Sequence, residues 1–122
     1  MIGYATLGTN DMLRATRFYD ALLGEMGAKR LMDFDSFILY GTGKGASLAI
    51  VEPYDKKKAS VGNGVMVALN AGSKEKVDAL YKKAIELGAT DEGKPGPRTP
   101  DTFYAAYFRD LDGNKLNFFH FG

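Results

Sequence analysis

The chain has no cysteine, no tryptophan and one histidine, His120, among 122 residues. Without cysteine there is no disulfide framework, and no thiolate to act as nucleophile or soft metal ligand. With the only histidine at the end of the chain, no Ser-His-Asp order can be argued. An excess of one charge is also missing. Lys and Arg total 16 and Asp and Glu 15, for a net charge of +1, which leaves no electrostatic footprint for nucleic acid or an anionic membrane. The Lys56-Lys57-Lys58 run reads as a solvated loop. No apolar stretch approaches the roughly 20 residues of a membrane span. The N-terminus enters a strand-like pattern at once, with no signal-peptide pattern, so the cytoplasm is the expected compartment.

What is present suits a soluble globular domain: 45% hydrophobic and 25% charged residues. A chain of this size is expected to form one domain and to bury roughly two thirds of its unfolded surface.

The sequence also says nearly the same thing twice. Glu25-Met26-Gly27-Ala28 recurs 61 residues later as Glu86-Leu87-Gly88-Ala89. Gly3-Tyr4-Ala5-Thr6-Leu7 corresponds to Gly64-Val65-Met66-Val67-Ala68-Leu69 at an offset of 62, which pairs Tyr4 with Met66. Gly45 to Ile50 corresponds to Gly113 to Phe118 at an offset of 68, as a few inserted loop residues would give. A repeat on this scale sets the architecture and lets equivalent positions be compared.

Within the first copy, Ile2 to Thr9 reads as a strand with Ala5 and Leu7 on one face and Tyr4 and Thr6 on the other. Asn10 or Asp11 can cap the helix that follows. Ala15, Phe18, Tyr19, Leu22 and Met26 form its apolar stripe, and Gly27 suits the left-handed position after it. Lys29 to Phe34, Ser36 to Tyr40 and Ala46 to Glu52 read as short strands. Residues 53–63 are the expected connector. The second copy has a strand over Val65 to Asn70 and a helix capped by Ser73 with the stripe Val77, Leu80, Tyr81, Ala84 and Leu87. Thr90 to Asp101 reads as a Gly- and Pro-rich loop with room for one short strand. A hairpin of Phe103 to Arg109 and Lys115 to Phe121 turns at Asp112-Gly113. Gly41-Thr42-Gly43-Lys44-Gly45 lacks Walker spacing and a following helix, so it reads as a hairpin turn and not a phosphate loop. The order βαβββ twice over is α+β, with module one over about residues 1–52 and module two over about 64–122. Two such modules side by side would form a curved mixed sheet with helices outside and a cup inside.

This pattern resembles the vicinal oxygen chelate superfamily of glyoxalases, bleomycin-resistance proteins and extradiol dioxygenases. The resemblance covers essentially the whole chain. Its most specific pieces are Leu7-Gly8-Thr9-Asn10-Asp11 leading into Arg17-Phe18-Tyr19, and Phe108-Arg109-Asp110-Leu111-Asp112-Gly113-Asn114 leading into the last strand. The latter resembles the family's Asp-Pro-Asp-Gly-Asn turn with Leu111 in place of proline. The resemblance implies a homodimer and one divalent metal in the cup, held by His, Gln or Glu from the opening and closing strands of each module. Carried over position by position, the opening ligands fall on Tyr4 and Met66. The closing ones fall on Asn117 and its repeat partner Ala49. Neutral tyrosine, thioether, lone amide and methyl are poor or null ligands for Zn, Fe, Mn or Ni. Moving the register by one puts Ala5, Val65 or Val67, and Leu116 or Phe118 there, which is no better. The family metal is therefore expected to be absent, unless Glu52 or a partner subunit supplies the missing donors.

The expected ligand-binding residues of the cup are Tyr4, Met66, Asn117, Tyr40, Tyr107 and Arg98. Tyr4 could donate a hydrogen bond or stack, Met66 offers adaptable apolar surface, and Asn117 could orient a carbonyl or hydroxyl. Phe103, Tyr104, Tyr107 and Phe108 give one aromatic pair to each face of their strand. Arg98, in its Pro- and Gly-rich loop, could clamp a carboxylate or phosphate. Tyr4 and His120 are the candidate proton donors or acceptors. By alternation, however, His120 shares a face with Leu116 and Phe118, which favours a structural role. Three functions stay open: binding of a small organic molecule without metal, metal-dependent lyase or dioxygenase chemistry, and metal-independent proton transfer by tyrosine or histidine.

Overall fold

In the computed structural model, which describes Met1–Gly122, the chain runs β1 (Tyr4–Gly8), α1 (Met12–Gly24), β2 (Lys29–Phe34), β3 (Phe37–Gly41) and β4 (Ser47–Val51). It continues with β5 (Val67–Asn70), α2 (Lys74–Glu86), β6 (Thr90–Pro97), β7 (Phe103–Arg109) and β8 (Lys115–Phe121). The elements fall into two units, Met1–Val61 and Gly62–Gly122. Each is a βαβββ module, which makes the chain α+β.

The two sheets have equivalent topologies, β1-β4-β3-β2 and β5-β8-β7-β6. In each, the opening strand lies parallel to the closing one, because a helix and a hairpin intervene. The remaining pairings are antiparallel. Registers place Ala49 between Thr6 and Leu39 in the first sheet, and Asn117 between Ala68 and Tyr107 in the second. Ala49 and Asn117 are thus equivalent stations, as the repeat predicts.

Strand alternation gives each sheet one face under its helix. In the first, Leu7, Ile38, Tyr40, Leu48 and Ile50 are buried with Ala15, Phe18, Tyr19, Leu22 and Leu23 of α1. In the second, Ala106, Phe108, Leu116 and Phe118 are buried with Val77, Leu80 and Ala84 of α2. Removing a leucine-sized side chain from water contributes about 2–3 kcal/mol, so these two stripes dominate the stability of their modules.

Both helices start and stop as their sequences suggest. The Asp11 carboxylate accepts from the Arg14 N–H at 3.0 Å, and the Ser73 hydroxyl from the Lys76 N–H at 3.1 Å. At the other end the Ala28 N–H reaches the Leu23 carbonyl and the Ala89 N–H the Ala84 carbonyl, both at 3.0 Å. Gly27 and Gly88 carry φ of +78° and +106° between them, the left-handed conformation this stop demands. The recurring Gly-Ala pair is therefore a duplicated helix terminus. Met26 lies in this turn beyond α1, and Thr16 and Leu23 complete the buried stripe instead.

Polar contacts join each helix to its own sheet. Arg30 of β2 grips Asp20 of α1 through two bonds of 2.9 and 2.7 Å and also reaches Asp33 at 3.0 Å. At the equivalent stations of the second module, Tyr81 of α2 donates to Asp91 of β6 at 2.8 Å. The helix supplies the anion in one half and the strand supplies it in the other.

Two segments depart from the sequence expectation. The strand expected over Val65 to Asn70 begins only at Val67, because a turn from Gly62 to Val65, closed by a 3.2 Å backbone bond, holds the preceding residues out of the sheet. The segment expected to be mostly loop, Thr90 to Asp101, contains the eight-residue strand β6. It is an edge strand with two register shifts, and edges and bulges are where a sheet tolerates proline and glycine. Gly41 closes β3, and residues 42–45 belong to the turn joining β3 and β4, as expected.

The hairpin turn between β7 and β8 is built on Asp110. Its Oδ1 accepts from the N–H groups of Asp112 and Asn114, both at 2.9 Å, and its Oδ2 accepts from the Asn114 side-chain amide at 3.0 Å. Gly113 adopts φ +89° at the apex. Asp110, Asp112, Gly113 and Asn114 thus act together as one closed turn.

Candidate functional site on the helix-free face of the second sheet

Strand alternation leaves a second face on each sheet, opposite its helix. In the second module this face carries Phe103, Ala105 and Tyr107 from β7, Asn117, Phe119 and Phe121 from β8, and Ala68 from β5. Three of these make one aromatic group. Phe103 lies 5.8 Å from Phe119 and 4.8 Å from Phe121 between ring centroids, and Phe119 and Phe121 are 6.1 Å apart. Phe121 is 59% exposed, so the group offers a ring surface to solvent.

Beside it, Tyr107 is flanked by two cations. The Arg98 guanidinium carbon lies 5.5 Å from its ring centroid and the Lys115 ammonium 5.4 Å. Gly93 lies across the β6–β7 pairing from Tyr107. A Cβ at Gly93 would come within 3.1 Å of the tyrosine Cδ1, so glycine makes room for the ring. Asn117 stands directly opposite Tyr107 on β8. It is 1% exposed, and its Oδ1 is buried with no hydrogen-bond partner. A buried acceptor left unpaired costs about 1–3 kcal/mol, so this atom marks a place where a donor belongs.

The corresponding face of the first sheet carries Tyr4, Thr6, Phe37, Leu39, Ala49, Met32 and Phe34. Tyr4 is more than half exposed and meets Phe37 edge-on at 6.1 Å. Ala49 is fully buried, a methyl at the station where the other half has the Asn117 amide.

Tyr4 and Asn117 therefore lie on helix-free faces, as their alternation predicts, and Tyr107 lies on the face of Asn117. Met66 is partly exposed just before β5 and belongs to no strand. Tyr40 is a correction. It lies under α1, 2% exposed, and donates its hydroxyl to Asp20 at 2.8 Å. Burial first, and then the Asp20 carboxylate, raise its phenol well above the ordinary range. It is a core residue with a satisfied hydroxyl and does not line the helix-free face.

Arg98 also differs from expectation. Its guanidinium turns back onto its own chain, donating to the carbonyls of Lys94 at 2.7 Å, Gly96 at 2.8 Å and Pro97 at 3.2 Å. These bonds brace the end of β6 and hold the cation against Tyr107, so the group is not presented as an anion clamp. His120 pairs across strands with Tyr104 on the face of Leu116 and Phe118. It does not share a face with Asn117. Tyr104 donates to Asp78 of α2 at 2.7 Å, which raises its phenol above the ordinary value.

A separate cleft of about 340 Å³ lies in the first module, at the start of α1. Thr9, Asn10, Met12, Glu52, Pro53 and the three lysines Lys56, Lys57 and Lys58 line it. Asn10 pins the connector beside it, accepting from the Ala59 N–H at 2.7 Å and donating to its carbonyl at 3.3 Å. Glu52 is the only carboxylate in that lining.

The donor set does not fit the metal that the resemblance implies. The stations in question carry a phenol, a thioether, an amide and a methyl, and no three histidine, cysteine, aspartate or glutamate side chains gather as a cation cage. The amide oxygen of Asn117 is a weak ligand without carboxylates around it.

The sequence reading missed the Phe103, Phe119 and Phe121 group as a unit. Its signal was there: Asn117, Phe119 and Phe121 alternate along β8, and Phe103 and Tyr107 share one face of β7. Lys115 shares that face by the same alternation, whereas Arg98 carried no such signal, because it arrives by a turn of its own chain.

The chain belongs to the glyoxalase/bleomycin resistance protein/dioxygenase superfamily, whose family model matches residues 1–118. It is similar over its full length to a glyoxalase/bleomycin resistance protein from Albidiferax ferrireducens T118, with 35% identity, 99% of that chain covered and a TM-score of 0.92. A hypothetical protein from S. aureus is 26% identical, with 98% of this chain and 91% of the other covered at a TM-score of 0.76. Lactoylglutathione lyase from Agrobacterium tumefaciens, 18% identical, shares the fold over 98% of this chain and 92% of its own at a TM-score of 0.72. No protein of curated function matches the chain. No helix is long and apolar enough to cross a membrane.

Proposed function

We propose that this superfamily member binds a small planar organic molecule on the helix-free face of its second module and does so without the family metal. The observation that carries the reading is the pairing of an open phenylalanine group with the buried, unpartnered oxygen of Asn117 on one sheet face. Ring surface supplies non-directional affinity, and a few placed polar groups orient the ligand. Catalysis by proton transfer has less support. Tyr4 is exposed and His120 lies on the other face. A homodimer is part of the same reading, since Leu31, Met32 and Phe34 are exposed on the edge strand β2.

The test is two-dimensional NMR of 15N-labelled protein with a panel of planar aromatic fragments, run with and without chelator. Chelator-insensitive shifts at Phe103, Tyr107, Asn117 and Phe119 are expected. Shifts that need an added divalent ion, or none at these residues, would reject the reading. Sedimentation of the same sample reads the dimer.

A further inference from the structure

Asn117 is the one place on the helix-free face of the second sheet where a buried polar atom has no partner. Its neighbours define what could reach it. Tyr107 fills one side, directly across β7, with its ring held beside Arg98 and Lys115. Ala68 lies on the other side, paired with Asn117 across β5, and it is exposed. A methyl there obstructs that side less than a larger side chain would, although Oδ1 itself is buried. Phe119 follows two residues along β8 on the same face. A ring resting on Phe119 would therefore have its edge directed toward the amide.

The equivalent station of the first module isolates the function. Ala49 is as fully buried as Asn117, and Leu39 stands where Tyr107 does. The fold needs only a small apolar residue at this station. The amide in the second module is an addition that weakens packing unless something donates to it.

We infer that Asn117 is the specificity-determining residue of the second module, accepting a hydrogen bond at Oδ1 from an N–H or O–H on the edge of a planar aromatic ligand seated over Ala68 and against Phe119. The inference rests on the ligand-binding reading above and narrows it to hydrogen-bond-donating aromatics. It also accounts for the amide at a station where the superfamily resemblance implies a metal-binding carboxylate. A site built around a buried acceptor rejects a ligand that leaves it unpaired far more strongly than it rejects a small change of shape.

Indole and benzofuran separate the two effects, being nearly the same shape with an N–H in one and an oxygen in the other. Titrating each into 15N-labelled protein, and following the Asn117 side-chain amide and the Phe119 backbone amide, gives both affinities. Indole should bind at least about tenfold more tightly, and Asn117→Leu should make the two probes equal by weakening indole alone. Equal affinities in the native protein, with shifts at Phe119, would overturn the role of Asn117 while leaving the aromatic face as the binding surface. No shift from either probe at Phe119 would overturn the ligand-binding reading and this inference with it. The native-protein comparison needs no variant, so a poorly folding Asn117→Leu does not block the test.

Discussion

Tyr40 donates its phenolic hydrogen to Oδ1 of Asp20 at 2.8 Å, and the same carboxylate is held by Arg30. One anion thus joins α1 to β2 and β3. The arrangement perturbs both acids in opposite directions. The Arg30 hydrogen bond, ahead of that from Tyr40, draws Asp20 below its ordinary 3.8. Burial, ahead of the Asp20 bond, pushes Tyr40 above its ordinary 10.0.

Both shifts set limits on stability against pH. The depressed Asp20 contributes stability that is present above its unfolded value of 3.8 and is lost as pH falls through its lower folded value. The raised Tyr40 contributes stability that is fully present below its unfolded value of 10.0 and is lost as pH rises beyond it, since the unfolded chain ionises first. Urea unfolding across pH should show Asp20→Asn flattening the acid limb. Tyr40→Phe should flatten the alkaline limb and cost about 1 kcal/mol at neutral pH. Unchanged limbs would mean that other groups set the profile.

The turn at Asp110 should be the most sensitive polar position of the second module. Asp110→Ala strips three acceptor contacts from a closed hairpin and should cost about 2–3 kcal/mol. Asp110→Asn keeps an oxygen for the two backbone donors and should cost clearly less. Denaturant midpoints of the two variants measure the difference, and equal losses would contradict this account of the turn.

Asn117→Leu should stabilise the protein. It replaces a buried unpaired acceptor by an apolar group of similar size, a change expected to add about 1–2 kcal/mol. A higher unfolding midpoint with an unchanged denaturant slope is the expected result. A loss of stability would mean that the amide is satisfied within the folded protein.

Metal content gives an independent check. Tag-free protein from cells supplemented with Ni, Zn, Mn and Fe should carry far less than one atom per chain by elemental mass spectrometry. Its melting temperature should not move with chelator, because nothing bound to the native state would be withdrawn. Near-stoichiometric metal would redirect the work to lyase and dioxygenase assays.

The parts of this molecule that could be read from sequence are those governed by local periodicity. The repeat, the caps Asp11 and Ser73, the left-handed Gly27 and Gly88, and the bounds of β7 and β8 all follow from residue spacing and backbone chemistry. Alternation likewise put Tyr4 and Asn117 on the faces away from the helices. What was not legible depends on partners distant in sequence. Tyr40 looked like a candidate for a binding surface, and only the Asp20 acceptor on α1 shows why its hydroxyl can be buried. The β6 segment looked like loop, because its glycines and prolines carry no strand propensity and pairing with β7 supplies the order. Arg98 looked like a free cation, and three backbone carbonyls of its own segment take up its charge.

A duplicated chain must choose, while folding, which helix docks on which sheet. The helix stripes already differ, with Phe18 and Tyr19 buried on α1 and only Val77, Leu80 and Ala84 on α2. The reversed polarity at the Asp20–Arg30 and Tyr81–Asp91 stations adds a polar discrimination to that difference. Were α2 to dock on the first sheet, Tyr81 would face Arg30, and Arg30 and Tyr40 would lose the carboxylate they share. Were α1 to dock on the second, Asp20 would meet Asp91, two carboxylates with no cation between them. Exchange between the halves is disfavoured in both directions, so each helix carries its own address.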